Sequence, residues 1–376
     1  MSAAPQPGGY RVATGSLPVS PCVRARVEAA GFATRGDLEN IGPVDLAREV
    51  GLTHEEALCV LKAAGARSVA PDPRLPPPAN TLALLAAEER RRHIPTYCFE
   101  LDGLLGPEAG RGGIAPCEVT ELCAAPGLGK TQLCIQLAVN VQLPAEVGGL
   151  AGEAVYIDTE GSFCVERAED MASATAANVR AIAASGRPEL VAAAAGFTTE
   201  AILSRIHVFR AHDGPTQAAL CASLPAIIAA HPRVKLIVLD SVAFHYRSGV
   251  EDYAARTRAL ASAFAGLMRL ASTHSLAVVV TNQVTTRPGS EETGQPARLV
   301  PSLGESFAHA ATTRLLLYWR GKHREAMLFK SPRRPQGVAK FAVLKEGIRT
   351  LRAKRAQPQG GNPTQQNGAQ HNARAA

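Results

Sequence analysis

The sequence predicts a two-part protein, a small all-α domain followed by a larger α/β domain built on a mostly parallel, twisted sheet. Three observations carry this expectation. From about residue 97, apolar runs such as "AVYID" (154–158), "VKLIVLD" (234–240) and "LAVVVTN" (276–282) alternate with helical stretches; continuous apolar runs with polar C-terminal ends mark parallel strands covered on both faces. A Gly-Lys-Thr lies between a strand-like "VTELCA" and a helix-like "KTQLCIQLAVNVQL". A proline-rich stretch, "RSVAPDPRLPPPAN" (67–80), sets this region apart from an N-terminal one of short helical segments.

Taken in order, residues 1–16 are rich in Pro, Gly and Ala and are expected to be disordered. Residues 17–66 read as several short helices. Pro21, Thr34, Pro43 and Thr53 stand near helix starts, and Gly31, Gly42 and Gly51 stand at turns. Short helices joined by "IG" and "VG" turns suit a helix-hairpin-helix unit that grips the DNA backbone. A helical docking domain without DNA contact fits them equally well. The linker, 67–81, is expected to be stiff and extended. The core, 82–350, opens with "TLALLAAEERRRHI", a helix ending in the basic cluster Arg90 to His93. The later runs "TRLLLYW", "AMLFKSP" and "KFAVLKEG" read as strands added at one edge of the sheet. The tail, 351–376, is polar, Gln/Asn-rich and free of acidic residues, so disorder is expected there too.

Composition narrows the class. With 376 residues, 46% hydrophobic and 19% charged, the chain can bury a substantial core. No apolar run reaches the ~18 residues of a membrane span, and "MSAAPQPGGY" does not read as a secretory signal. The 8 cysteines include no Cys-x-x-Cys pair, so neither a cysteine-based zinc site nor a thiol-redox motif is indicated. Scattered thiols suit a reducing compartment and a role as small hydrophobes. The net charge of +7 favours polyanionic partners where it clusters near chemistry.

"ELCAAPGLGKTQLC" (121–134) carries the main chemical signal. The phosphate-loop pattern G-x-x-x-x-G-K-[ST] is complete except at its first position, where Ala124 replaces glycine. Ala124, Ala125, Pro126, Gly127, Leu128, Gly129, Lys130, Thr131 and Gln132 are therefore the candidate ATP-binding loop. Backbone N–H groups at the helix start bind phosphate, Lys130 reaches the outer phosphates, and the Thr131 hydroxyl ligates Mg²⁺. A glycine matters where φ is positive or where the backbone nears the ligand, so Ala124 costs little if it is an ordinary strand residue. Asp240, closing "VKLIVLD", is the candidate second Mg²⁺ residue. In "YIDTEGSF" Glu160, rather than Asp158, is the candidate that orients the attacking water. Gln283, closing "VVVTNQ" after Asn282, is placed to sense the γ-phosphate and pass that on to the following loop.

Together "GLGKTQLC", "GEAVYIDTEGSF", "IVLDSVAF", "AVVVTNQVTT" and "HAATTRL" resemble the RecA-type recombinases, specifically their eukaryotic Rad-fifty-one branch. The longer stretches, "GKTQLCIQLAVNVQLP" and "LVPSLGESFAHAAT" among them, are most similar to its C-type paralogues. The likeness runs from about Leu17 to Gly347. It implies a RecA-like P-loop ATPase core that acts with ATP and Mg²⁺ in homologous-recombination repair of DNA, in the nucleus, with the cytoplasm open as a second location. It implies that Lys130, Glu160 and Gln283 are catalytic, that Thr131 and Asp240 hold Mg²⁺, and that His309 reads a neighbouring subunit's nucleotide. Two DNA-binding loops are implied at about 244–256 and 284–306. The first carries Arg247, Arg256 and Arg258 with Tyr246 and Tyr253 interleaved; the second carries Arg287 and Arg298 beside Glu291 and Glu292. Basic groups hold phosphates while aromatics stack on single-strand bases.

The departures from the family pattern set the partner expectation. Self-assembling members carry Phe-x-x-Ala in the interdomain linker, and this linker has no phenylalanine. Hetero-complexes with other recombinase paralogues and with the main strand-exchange recombinase, on single-stranded or branched DNA, are expected in place of a homofilament. The segment "LLGPEAGRGGIAP" is longer than the family's glycine turn, with Pro107–Arg111 as the extra residues. Two other readings stay open on the residues alone. One is an adaptor that binds nucleotide structurally and turns over little. The other is a small-molecule P-loop kinase, which the long loop after "TNQ" disfavours. The basic "LRAKR" (Arg352, Lys354, Arg355) fits either a nuclear import signal or a solubilising end.

Overall fold

Parallel pairing dominates the larger unit, as the unbroken apolar runs require. The computed structural model describes residues 13–38, 41–64, 80–106, 112–184, 186–246, 253–287, 298–302 and 310–351. The chain divides into two units, Met1–Glu89 and Arg90–Ala376.

In the first unit, helices α1 (Pro21–Ala29), α2 (Pro43–Val50) and α3 (His54–Ala63) enclose a small core of Leu17, Val23, Val27, Leu38, Leu46, Val60 and Leu61. Local chemistry sets each boundary. Pro21 and Pro43 occupy first-turn positions, where the missing N–H is not needed. Thr53 and Glu56 form a reciprocal capping box at the start of α3. Gly51 ends α2 in the left-handed conformation at φ 70°. Residues 14–16 form a 3-10 turn whose Thr14 is buried and bonds to Phe32 O. Packing thus begins a few residues earlier than the sequence suggested. A fourth helix, α4 (Thr81–Glu89), buries none of its residues.

In the second unit α5 (Phe99–Leu105) precedes the sheet. The strands are β1 (Val119–Ala124), β2 (Glu153–Asp158), β3 (Ile206–Arg210), β4 (Val234–Asp240), β5 (Ala277–Arg287), β6 (Arg298–Pro301), β7 (Thr313–Arg320), β8 (His323–Lys330), β9 (Gly337–Leu344) and β10 (Gly347–Thr350). Their order is β10-β9-β8-β7-β1-β5-β4-β2-β3, with β6 paired to β5 off this path. From β7 to β3 every neighbour is parallel, whereas β8, β9 and β10 extend the edge antiparallel. The later runs therefore do form the added edge.

Strand alternation splits the core in two. Tyr156, Leu236, Val238 and Val279 face one cluster with α6 (Lys130–Asn140) and α7 (Val165–Ala183). Val155, Ile157, Ile237, Leu239, Val278 and Val280 face the other with α10 (Gly214–Ala230) and α11 (Tyr253–His274). Two short helices, α8 (Pro188–Ala195) and α9 (Thr199–Leu203), complete the set of described helices. Each fully buried Val or Leu contributes about 1.5–3 kcal/mol, so double-sided burial makes these strands the stable part of the sheet.

Both expected loops are partly regular. Residues 284–287 pair antiparallel with 298–301, making a β5–β6 hairpin where a DNA-binding loop was expected. Residues 244–246 form a 3-10 turn and 253 opens α11, so the first loop is shorter than 244–256. The tail from 352, most of the linker and Pro107–Arg111 lie outside the described residues. The residues flanking that last insertion nonetheless meet, because a Cβ on Gly106 would lie 2.1 Å from Gly112 Cα. Only glycine permits this approach.

Candidate nucleotide site

The C-terminal ends of β1, β2 and β4 carry the candidate residues to one edge of the sheet, where α/β folds place ligand crevices; Gln283, expected to close its strand, is instead level with the end of β1 inside β5, which continues to Arg287. Ala124 is the last residue of β1, fully buried, and in register with Gln283 of β5 and Leu317 of β7. It is not among the positive-φ residues. The loop's left-handed positions are Gly127 at φ 77° and Gly129 at φ 102°. Both are glycines, so the strained conformations fall where no Cβ is present. Gly129 also caps α6, leaving the first N–H groups of that helix directed into the loop.

Lys130 Nζ donates to Ala124 O at 2.9 Å and Ala125 O at 3.2 Å. It forms no ion pair among the described residues. Burial lowers its pKa, opposed by the nearby Asp240 and Glu160 carboxylates. Thr131 Oγ1 donates to Asp240 Oδ2 at 2.7 Å and lies 3.4 Å from Ser162 Oγ. Asp240 also accepts from Tyr156 OH at 2.8 Å and from Thr281 Oγ1. Burial pushes its carboxyl up, while the Thr281, Thr131 and Tyr156 hydroxyls pull it back. The peptide after Asp240 is cis.

Glu160 Oε1 accepts from Ser241 Oγ at 2.8 Å and from Gln283 Nε2 at 3.1 Å. The loop that carries Glu160 is shaped by Asp158, whose carboxylate accepts four successive backbone N–H groups, Glu160 to Phe163, at 2.8–3.2 Å. Arg210, ending β3, donates to the same carboxylate at 2.7 Å. Asp158 thus organises the turn and Glu160 is left to face the loop.

The hard oxygen pair of Thr131 and Asp240 suits Mg²⁺, and the α6 N-terminus with the Lys130 ammonium suits a phosphate chain. A nucleotide with Mg²⁺ therefore fits the residues present.

The structure brings Lys130, Thr131, Asp240, Glu160 and Gln283 together, with Gln132 nearby on α6 and bonded to Arg167 Nε at 2.9 Å. The expected DNA contacts are not so joined. Arg247 and His309 lie outside the described residues. Arg256 and Arg258 lie in the first turns of α11, and Arg287 and Arg298 are register partners in the β5–β6 hairpin; the side chains of these four are outside the description. Reading the sequence missed Tyr156, Thr281 and Arg210. The first two sit two residues before Asp158 and one residue after Val280 on buried strands, where a polar residue in an apolar run was the available signal. Arg210 belongs to β3, a strand left among helical stretches.

A buried network backs the hairpin. Glu121 of β1 bonds to Asn282 Nδ2 at 2.7 Å and to Arg314 Nε of β7, and Ser302 Oγ donates to Asn282 Oδ1 at 2.7 Å.

Comparison with known proteins agrees with this architecture. The family model described as Rad51 matches residues 90–351. Over 341 residues the chain is 41% identical to a protein of Cricetulus griseus named DNA repair protein RAD51 homolog 3, covering 89% of this chain and 91% of that one. The protein of the same name from Dictyostelium discoideum is 35% identical over 270 residues, covering 71% and 68%. The DNA repair and recombination protein RadA of Metallosphaera sedula is 36% identical over 337 residues, covering 88% and 93%. No helix among the described residues is long and apolar enough to cross a membrane.

Proposed function

This chain belongs to the Rad51 family of RecA-type proteins, and on that premise we propose that it is an ATP-dependent, DNA-binding recombinase paralogue of homologous-recombination repair. It acts in the nucleus, in hetero-complexes with other paralogues, to load or stabilise the main recombinase's strand-exchange filament on single-stranded DNA. The observation that carries the reading is the convergence of Lys130 and Thr131 of α6, Asp240 at the end of β4, Glu160 just after β2 and Gln283 within β5 onto one loop. The helix after the phenylalanine-free linker, α4, carries Leu82, Leu84 and Leu85, each at least half exposed, and this apolar surface supports assembly with another subunit.

Bound Mg²⁺ supplies neutralisation of phosphate charge. Lys130 Nζ and the α6 N–H groups bind the phosphates, while Thr131 Oγ1 and Asp240 Oδ2 hold the ion. The Glu160 carboxylate orients a water and accepts its proton through Oε2, because Oε1 already accepts from Ser241 and Gln283. Gln283 Nε2 fixes Glu160, and because Ser302 N–H bonds to Gln283 O at 2.9 Å, a shift of Gln283 reaches the base of the β5–β6 hairpin.

The test is single-strand-stimulated ATP hydrolysis by the purified protein, alone and with its co-purifying partners, for wild type, Lys130→Ala and Glu160→Gln. Loss of turnover in both variants is expected. Turnover indifferent to both substitutions overturns the assignment. Nucleotide binding without turnover in any complex favours the adaptor reading.

A further inference from the structure

At the opposite end of the sheet, three residues far apart in sequence converge on one point. Glu153 begins β2, His207 is the second residue of β3, and His231 caps α10 just before β4. We propose that Glu153, His207 and His231 form a binding site for a divalent transition-metal ion, Zn²⁺ by its donor set, independent of the nucleotide site.

The geometry is nearly that of a three-ligand zinc centre. His207 Nε2 lies 2.8 Å and His231 Nδ1 3.9 Å from Glu153 Oε2, and all three donor atoms fall within 4.8 Å of one another. With zinc bonds of about 2.0–2.1 Å, neighbouring ligands in a tetrahedron stand about 3.3 Å apart. The two distances to Glu153 Oε2 straddle that value, and the imidazole nitrogens, within 4.8 Å of each other, close on an ion by side-chain rotation of up to about 1.5 Å. The imidazole rings already lie 4.2 Å apart between centroids, tilted by 43°.

The surroundings hold this arrangement. Glu153 is 5% exposed, and its second oxygen, Oε1, is engaged by Arg233 Nη2 at 2.6 Å. That contact orients the carboxylate and leaves Oε2 to the two imidazoles, the outer support that metal carboxylates commonly have. Arg233 is itself mostly exposed, which limits its charge penalty on a cation. The turn bearing His231 is fixed by Glu153 N–H to Arg233 O at 2.8 Å and Val234 N–H to His231 O at 3.0 Å. The His207 and His231 side chains are 23% and 42% exposed, which gives an ion a route in and leaves a fourth position to water.

Two nitrogens and one oxygen favour zinc over Mg²⁺, which prefers oxygen alone. Glu153 and Asp158 are the first and last residues of β2, roughly 17 Å apart at 3.3 Å per residue. The ion is therefore no part of the nucleotide's Mg²⁺ site. It would cross-link β2, the α10–β4 turn and β3, the outermost strand on that side of the sheet.

The experiment titrates chelator-treated full-length protein with Co²⁺ and Zn²⁺, without nucleotide. The expected result is one equivalent of Co²⁺ giving visible bands of a four- or five-coordinate N/O site, and a rise in Tm with Zn²⁺. His207→Gln and His231→Gln each weaken binding by about tenfold or more, the double variant abolishes it, and ATP-analogue binding reports that each variant is folded. Histidine NMR signals of the wild type, shifted by one equivalent of Zn²⁺, provide a readout that needs no variant. The proposal is overturned by absence of saturable one-equivalent binding, by binding that persists in the double variant, or by intense thiolate bands that place the ion on cysteines. In those outcomes the cluster is a histidine–glutamate–arginine ion-pair network only.

Discussion

Thr131 Oγ1 and Asp240 Oδ2 are joined by a 2.7 Å hydrogen bond that ties the second residue of α6 to the last residue of β4, 109 positions away. The bond fixes the two oxygens that suit Mg²⁺ before any ion arrives. Thr131→Val keeps the shape and removes the hydroxyl. A hydrogen bond to a charged partner is worth about 1.5–3 kcal/mol, so Mg²⁺-dependent affinity for an ATP analogue should fall on the order of 10–100-fold. Binding measured with and without Mg²⁺ checks this; an equal loss in both conditions would locate the effect in loop packing instead.

The alanine in the phosphate loop yields the opposite expectation. Ala124 has strand geometry, and its methyl is buried in the main core. Restoring the pattern with Ala124→Gly should therefore not improve nucleotide binding. It should lower stability by about 0.5–1 kcal/mol from backbone entropy alone, with further loss from the missing methyl. Thermal unfolding and analogue binding, measured together, separate the two quantities. A clear gain in affinity would contradict the strand-end assignment.

Glu160 shares Oε1 between Ser241 and Gln283. Glu160→Gln preserves size and removes the base. ATP affinity should stay within about threefold, while turnover in the DNA-bound complex should drop on the order of 10²–10⁴-fold. A proportional loss of binding and turnover would assign Glu160 to ground-state binding.

The residues differ in how far the sequence disclosed them. Lys130, Thr131 and Asp240 were legible because each occupies a position whose neighbours are constrained: a glycine before the helix, a strand before the aspartate. The double-sided strands were equally plain, since nothing but burial on both faces explains "KLIVLD" or "AVVVT". What stayed hidden depends on tertiary proximity. Arg210 meets Asp158 only because β3 lies beside β2, and "IHVFR" is too short and too mixed in polarity to announce a strand. Tyr156 and Thr281 support Asp240 from two other strands, a relation set by sheet order alone. Glu153, His207 and His231 follow no metal-ligand spacing, because three different elements deliver them.

Asp102 gives a pH-dependent prediction. It lies buried in α5, and its Oδ1 accepts from Thr96 N–H at 2.7 Å and Thr96 Oγ1 at 2.8 Å. Burial raises its pKa from 3.8 to about 6, against the pull of those Thr96 bonds. The folded state thus holds this proton more tightly than the unfolded chain, whose carboxyl titrates near ~3.9. The stability it contributes is complete below about pH 4, is lost as pH rises through about 6, and is flat above that. At 1.36 kcal/mol per unit the swing is about 2–3 kcal/mol. In Asp102→Asn the amide oxygen can still accept both Thr96 donors, and no charge forms. The variant should therefore gain on wild type steadily between pH 4 and pH 7, with the difference constant above about pH 7. Denaturant unfolding of both proteins across pH 4–8 reads this directly. Because α5 is bonded to the β9–β10 edge through Lys340 N–H to Glu100 Oε2 at 2.9 Å and Phe99 N–H to Thr350 Oγ1 at 2.7 Å, the same dependence should appear in hydrogen-exchange protection of that edge. A variant-to-wild-type difference that does not change with pH would mean that Asp102 stays ionised in the folded protein, with its two Thr96 donors outweighing burial.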